Sequence, residues 1–151
     1  HGHADHIGAL GYLKEQGFII YIHQAEAQYL TTPELNLSSF IQEDELIHGP
    51  AADVLLEDGQ ELELAGMTFH VIHTPGHTPG GTCYLIDQHL FSGDTLFARS
   101  IGRTDLPGGD HQQLVTSLQK LMGLADEVIV YPGHGPSSTI GQERASNPVC
   151  R

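Results

Sequence analysis

Basic side chains are scarce in this sequence. Six lysines and arginines stand against nineteen aspartates and glutamates in 151 residues, a formal charge of −13 with histidine neutral. Such a chain repels a phosphate backbone, and no basic stripe offsets the repulsion, so nucleic acid is excluded as a partner and anionic membrane surfaces are disfavoured. Long apolar runs are missing too. Nothing approaches the roughly 18–20 consecutive apolar residues needed to cross a bilayer, and no charged-then-apolar leader opens the sequence. Cysteine is limited to Cys83 and Cys150, too few for a disulfide framework and consistent with a reducing compartment. A soluble, cytoplasmic protein is the expectation. Hydrophobic residues at 39%, together with eighteen glycines, allow a sizeable core, and the length suits one domain spanning residues 1–151.

The pattern of apolar residues alternates between short elements. Ile7 to Gln16 has helical spacing and stops before Gly17, and Phe18 to Ile22 is a short apolar run of buried-strand type. Gln24 to Leu30 reads as a second helix, stopped by Thr32 and Pro33, and Glu34 to Pro50, without a period, reads as loop. Val54–Leu56, Glu61–Leu64 and Met67–Ile72 read as strands of a meander, with Asp58-Gly59 and Ala65-Gly66 as turns. Thr82–Ile86, Leu90–Ser92 and Val128–Tyr131 are further strands, and Asp110–Met122 is a helix facing the core with Leu114, Val115, Leu118, Leu121 and Met122. Strands mixed with helices predict an α/β protein of sheet layers covered by helices.

What the chain has in excess is histidine, eleven in all. Four turn-like segments concentrate metal-type ligands: His1-Gly2-His3-Ala4-Asp5-His6, Gly76-His77-Thr78-Pro79-Gly80, Gly93-Asp94-Thr95 and Pro132-Gly133-His134-Gly135. Three of them follow an apolar strand, and loops leaving strand ends on one sheet edge can converge. An H-x-H-x-D-H pattern arises by chance in such a chain only on the order of three times in a thousand. In an extended segment His1 and His3 share a face and can hold one ion, while Asp5 and His6 diverge and can reach a second. Imidazole with carboxylate suits zinc, iron or manganese. His23, His48, His70, His73, His89 and His111 sit in no ligand-spaced cluster and read as bystanders.

HGHADH, PGHTPGGT, SGDTLF, GRTDLPGGD and YPGHGP, in this order over nearly the whole chain, resemble the metallo-β-lactamase superfamily, and within it the glyoxalase II-like hydrolases. The resemblance implies a four-layer αββα sandwich with the metals at one edge of the two sheets. It implies that His1, His3 and His77 hold one metal, that Asp5, His6 and His134 hold a second, and that Asp94 bridges them. Members normally carry several strands before the first motif, so the chain is expected to be a fragment lacking its N-terminal strands. The implied cofactor is two divalent ions, zinc first, with iron or manganese as substitutes. The implied activity is hydrolysis of a small-molecule acyl thioester such as S-lactoylglutathione, with Asp5 and Asp94 as the catalytic carboxylates.

Departures within the superfamily narrow this. β-Lactamases of the commonest type carry cysteine where this chain has Asp94, and relatives that process transfer RNA need a basic surface. Persulfide dioxygenases share similar runs but use a single iron held by two histidines and one aspartate. The chain is similar to the short bacterial type, ending near Asn147-Pro148, without the helical domain that binds glutathione in longer glyoxalase II enzymes. A mononuclear iron dioxygenase and a catalytically silent metal-binding fragment are the alternatives. Arg99 and Arg103, two of the six basic residues and both within ten residues of Asp94, are candidates for attracting a substrate carboxylate, with ion pairing to Asp105 or Asp110 as the structural alternative.

Overall fold

The computed structural model describes residues 1–41 and 45–150. The chain divides into two compact units, His1–Leu56 and Glu57–Arg151. No helix of the described residues is long and apolar enough to cross a membrane.

The first unit contains α1 (Ala4–Ile7), α2 (Leu10–Glu15), β1 (Tyr21–His23), a 3-10 turn over Gln24–Leu30, α3 (Pro33–Asn36), α4 (Ser38–Ile41) and β2 (Val54–Leu56). Its core is built from Ile7, Ile20, Ile22 and Leu30. Three expectations are corrected here. The first helix starts at Ala4 rather than Ile7 and breaks after Ile7, so Asp5 and His6 are helical. The stretch 34–50, expected to be loop, holds α3 and α4, while residues 42–44 lie outside the described residues. Pro33 opens α3 instead of stopping a helix, as suits a residue with fixed φ and no N–H to lose. The fold of this stretch is set by a buried polar knot that leaves no period in the sequence. Asn36 donates through Nδ2 to the carbonyls of Tyr29 and Ile47 and accepts from Ser38 N. Third, β2 does not open the meander. It pairs in parallel with β1, where the Asp53 carboxylate beside it accepts from Ile20 N and pairs with Lys14.

The second unit is organised by a six-stranded sheet. Its strands are β3 (Glu61–Leu64), β4 (Met67–His73), β5 (Thr82–Ile86), β6 (His89–Gly93), β9 (Ile129–Pro132) and β10 (Ser138–Thr139), in the order β10-β9-β6-β5-β4-β3. A small hairpin, β7 (Leu96–Phe97) with β8 (Ser100–Ile101), stands outside it. From β3 to β6 each strand pairs antiparallel with the next, a meander that keeps the expected Ala65-Gly66 turn between β3 and β4 and extends through β5 and β6 rather than back to β2. β6 and β9 pair in parallel, which requires a crossover. Helix α5 (His111–Leu121) lies within that crossover, close to the expected bounds. Asp110 caps it by accepting from Gln113 N, and Leu114, Leu118 and Leu121 are fully buried with Cys83, Leu90 and Val130. Helix α6 (Ile140–Ser146), absent from the sequence reading, follows a capping box formed by Thr139 and Gln142.

The topology positions chemistry. Because β4 and β6 are each antiparallel to β5, and β6 is parallel to β9, the strands β4, β6 and β9 all run the same way. Their C-terminal ends lie at one edge of the sheet, and the chain leaves those ends into the turns carrying His77, Asp94 and His134.

Candidate metal centre

In the first unit, His1 to His3 is extended up to the N-cap of α1, and α1 carries Asp5 and His6. The segment is held from below by Glu26, a fully buried carboxylate of the 3-10 turn that accepts from Gly2 N at 2.9 Å. Gly2 is required there, since a Cβ would stand 2.5 Å from the Tyr29 Cβ. Burial, reinforced by the Glu26 carboxylate, pushes the Tyr29 hydroxyl pKa up. The three imidazoles gather. His1 Nε2 lies 3.1 Å from His3 Nδ1, and the His1 ring centroid is 4.7 Å from that of His3 and 4.2 Å from that of His6. Asp5 Oδ2 is 3.6 Å from His6 Nε2. His3 is buried and Asp5 is exposed.

In the second unit, the turn after β4 is closed by Thr74 N donating to Gly81 O and Gly76 N to Thr78 O. Gly76, at φ +137°, packs so tightly on α5 that a Cβ would reach within 2.3 Å of Leu114 N. His77 emerges buried, and its Nδ1 donates to the Arg103 carbonyl at 2.7 Å. A carbonyl can only accept, so Nδ1 carries the proton of this bond, and Nε2 is the nitrogen turned toward Asp94. The end of β6 carries a register shift between Phe91 and Gly93, with Gly93 at φ +48°. Such a bulge re-aims the following side chain, here Asp94. Thr95 N donates to Ser92 O, and the Thr74 and Thr95 hydroxyls meet at 3.0 Å, tying this turn to the one after β4. Asp94 Oδ2 stands 3.6 Å from His77 Nε2 and also 3.6 Å from His134 Nε2. The Asp94 side chain is 10% exposed and that of His134 58%.

Thus His1, His3 and His6 come together with Asp5 beside them, and separately His77, Asp94 and His134 come together. The two arginines separate in role. Arg103 makes a bidentate pair with Asp105, Nε to Oδ1 at 2.7 Å and a terminal nitrogen to Oδ2 at 2.8 Å, which pulls the Asp105 pKa down to about 2. Arg99, exposed at the tip of the β7–β8 hairpin, has φ +60°, a left-handed conformation costing a non-glycine residue about 1 kcal/mol. Its N–H donates to the buried Glu143. Four of the six bystander histidines have structural partners among the described residues: His23 accepts from Ala25 N, His70 Nδ1 lies 3.2 Å from a Glu61 carboxylate oxygen, His73 bonds the Pro79 carbonyl and His89 the Tyr131 hydroxyl. Sequence reading missed Glu26, Glu143, Asn147 and Gly102. A lone glutamate in a helical segment carries no spacing signal, although Gly102 lies inside the GRTDLPGGD run.

The sequence pattern of the metallo-beta-lactamase superfamily matches residues 1–134. The probable metallo-hydrolase YqgX of Bacillus subtilis is 40% identical over 152 residues, covering 98% of this chain and 72% of that protein. The hydroxyacylglutathione hydrolase GloC of Haemophilus influenzae is 38% identical over 158 residues, with the same coverage of both. Among solved structures, the BLEG-1 B3 metallo-beta-lactamase superposes with a TM-score of 0.93 at 44% identity, covering 99% of this chain and 74% of that one. TTHA1623 in a di-iron-bound form gives 0.87 at 36% identity, covering 98% and 73%. Matching sequence pattern, relatives of this identity and coverage, and a mixed α/β fold of the same type place the chain in the metallo-β-lactamase superfamily.

Proposed function

We propose that this metallo-hydrolase is a binuclear thioesterase of the glyoxalase II type. In this reading His1, His3 and His77 hold one divalent ion, Asp5, His6 and His134 hold a second, and Asp94 is shared. The observation that carries it is the Asp94 carboxylate oxygen standing 3.6 Å from two imidazole nitrogens at once. That spacing is too long for a hydrogen bond and close to the edge of a tetrahedral site, where bonds of 2.0–2.2 Å separate neighbouring donor atoms by about 3.3–3.6 Å. The donors are imidazoles and carboxylates without thiolate, a set suited to zinc, iron or manganese. Cys83 is buried in the core cluster instead.

When bound, a pair of such ions supplies a Lewis-acid field that brings the pKa of water toward about 7 and polarises a carbonyl. The chain's own residues set the geometry for this. The Arg103 carbonyl fixes the His77 tautomer, and the Gly93 bulge with the Thr74–Thr95 pair fixes Asp94. A thioester fits because its leaving thiol, with a pKa near 8.5, departs as thiolate without a strong general acid.

The protein purified with its metals should contain about two ions per chain and hydrolyse S-lactoylglutathione, followed by loss of thioester absorbance. Asp94→Asn should lose metal and lower kcat/KM by about 100-fold or more. A content of one iron per chain, with oxygen consumed on glutathione persulfide and no thioester cleavage, would replace this reading with the dioxygenase.

A further inference from the structure

We infer that Arg99 selects a carboxylate-bearing substrate, with Glu143 and Asn147 as its positioning residues; the inference rests on the thioesterase reading. The first observation is a census of cations. Among the described residues, Lys14, Arg103, Lys120 and Arg144 pair with Asp53, Asp105, Asp58 and Asp126 respectively. Arg99 has no carboxylate within ion-pair distance among those residues, in a chain with nineteen acidic side chains. An exposed arginine left unpaired where acids outnumber bases three to one retains its charge and its five-donor fork for another anion.

The second observation is how firmly the backbone beneath that side chain is held. The Arg99 N–H donates to Glu143 Oε2 at 2.8 Å, and the next carbonyl, that of Ser100, accepts from Asn147 Nδ2 at 3.0 Å. Asn147 Nδ2 also donates to Glu143 Oε2 at 2.9 Å, closing a three-way knot from two side chains that are 1% and 0% exposed. Left-handed backbone at a non-glycine residue persists where its surroundings over-determine it, and such places concentrate at ligand clamps.

Third, the hairpin bearing Arg99 is joined at both strands to the metal-type ligands. The Phe97 ring meets the His134 ring edge-on at 6.2 Å, and Gly102, one residue past β8, lies against Asp94 and His77. Gly102 and Arg99 are three residues apart, a reach of about 10 Å along an extended chain. The ligand class this fits is an acyl thioester with a free carboxylate roughly that far from the reacting carbonyl, gripped in bidentate fashion by the guanidinium. Arg103, also a candidate by sequence, is engaged in a bidentate pair with Asp105.

The test uses the metal-loaded protein and a thioether that cannot turn over. Calorimetry would compare S-butylglutathione with the same compound esterified at both carboxyl groups. The esterified form is the more cationic, so the overall field of an acidic chain favours it, and a local cation is needed to reverse the order. Wild type should bind the free acid about tenfold or more tightly than the diester, and Arg99→Gln should weaken free-acid binding by about ten- to a hundredfold while changing diester binding less than about twofold. Arg99→Lys should recover part of the preference, as a point charge without the fork. Glu143→Ala should reduce the preference and Glu143→Gln, which keeps an acceptor oxygen, should restore it. If wild type shows no preference, or Arg99→Gln retains it, the inference is overturned. Hydrolysis of the esterified thioester by the Arg99→Gln protein reports separately on the thioesterase reading, which stands or falls without Arg99.

Discussion

Replacing Gly102 with alanine tests whether the turn after β8 sets the position of Asp94. A Cβ added at Gly102 would fall 1.8 Å from the Asp94 carbonyl oxygen and 3.2 Å from the His77 Cβ. Real Cβ contacts essentially never fall under 3.0 Å, so the two backbone segments must separate by about 1.2 Å (3.0 − 1.8). The obstructing atom is backbone, so no rotamer relieves the clash. A misplacement of about 1 Å in a catalytic constellation costs about 100-fold in rate, or about 2.7 kcal/mol of transition-state stabilisation. Gly102→Ala should therefore lower kcat/KM for S-lactoylglutathione by about two orders of magnitude and weaken metal retention, while far-UV circular dichroism stays that of a folded protein. Gly11→Ala is the matched control. Gly11 has nothing within 4 Å of its added Cβ and lies in α2, so the change should raise stability by up to about 1 kcal/mol and leave turnover alone. Wild-type kcat/KM and metal content in Gly102→Ala would refute the claim that this contact holds Asp94.

Leu118→Ala removes a fully buried side chain from the core between α5 and the sheet and should cost about 2–5 kcal/mol in urea unfolding, with an unchanged denaturant slope. A loss under about 1 kcal/mol would show that the core is not packed there as described. Burial acts to raise the Asp58 carboxyl pKa, but bonds from Lys120 and from His73 N outweigh it, so the pKa lies below its ordinary value of 3.8. A carboxylate with a depressed folded pKa contributes stability above that ordinary value and loses it as the pH falls through the folded pKa. Both partners are about half exposed, which limits the contribution to about 1 kcal/mol or less. The stability difference between wild type and Lys120→Met should hold from neutral pH to about pH 4 and shrink below it; a difference independent of pH would remove the assignment.

The parts of this fold that could be read from sequence are those whose signals are local. The spacing of Leu114, Leu118 and Leu121 and the cap at Asp110 mark α5, and Ala65-Gly66 marks the β3–β4 turn. The parallel pairing of Tyr21–His23 with Val54–Leu56 could not be read this way, because it depends on Asp53 reaching back to Ile20 N across thirty-three residues. The two-residue strands β7, β8 and β10 are too short to show a period. Helix α6 did have a signal, Thr139 followed three residues later by Gln142, and the sequence reading passed over it. At the site, the ligand-type residues stood out because histidine recurs in glycine-bounded turns. The residues that hold them, Glu26 beneath Gly2 and Glu143 beneath Arg99, carry no such mark, since a buried carboxylate is recognised only once its donors are known.

The contact between Gly76 and Leu114 leaves no slack between the covering helix and the loop that presents His77. A helix that shifts by a fraction of an ångström to absorb a core substitution must push that loop with it. Displacement of the His77 loop on warming should therefore begin with repacking beneath α5, at temperatures where the sheet is still intact. A substitution at Leu114 should likewise disturb the seating of His77 as well as the fit of the helix.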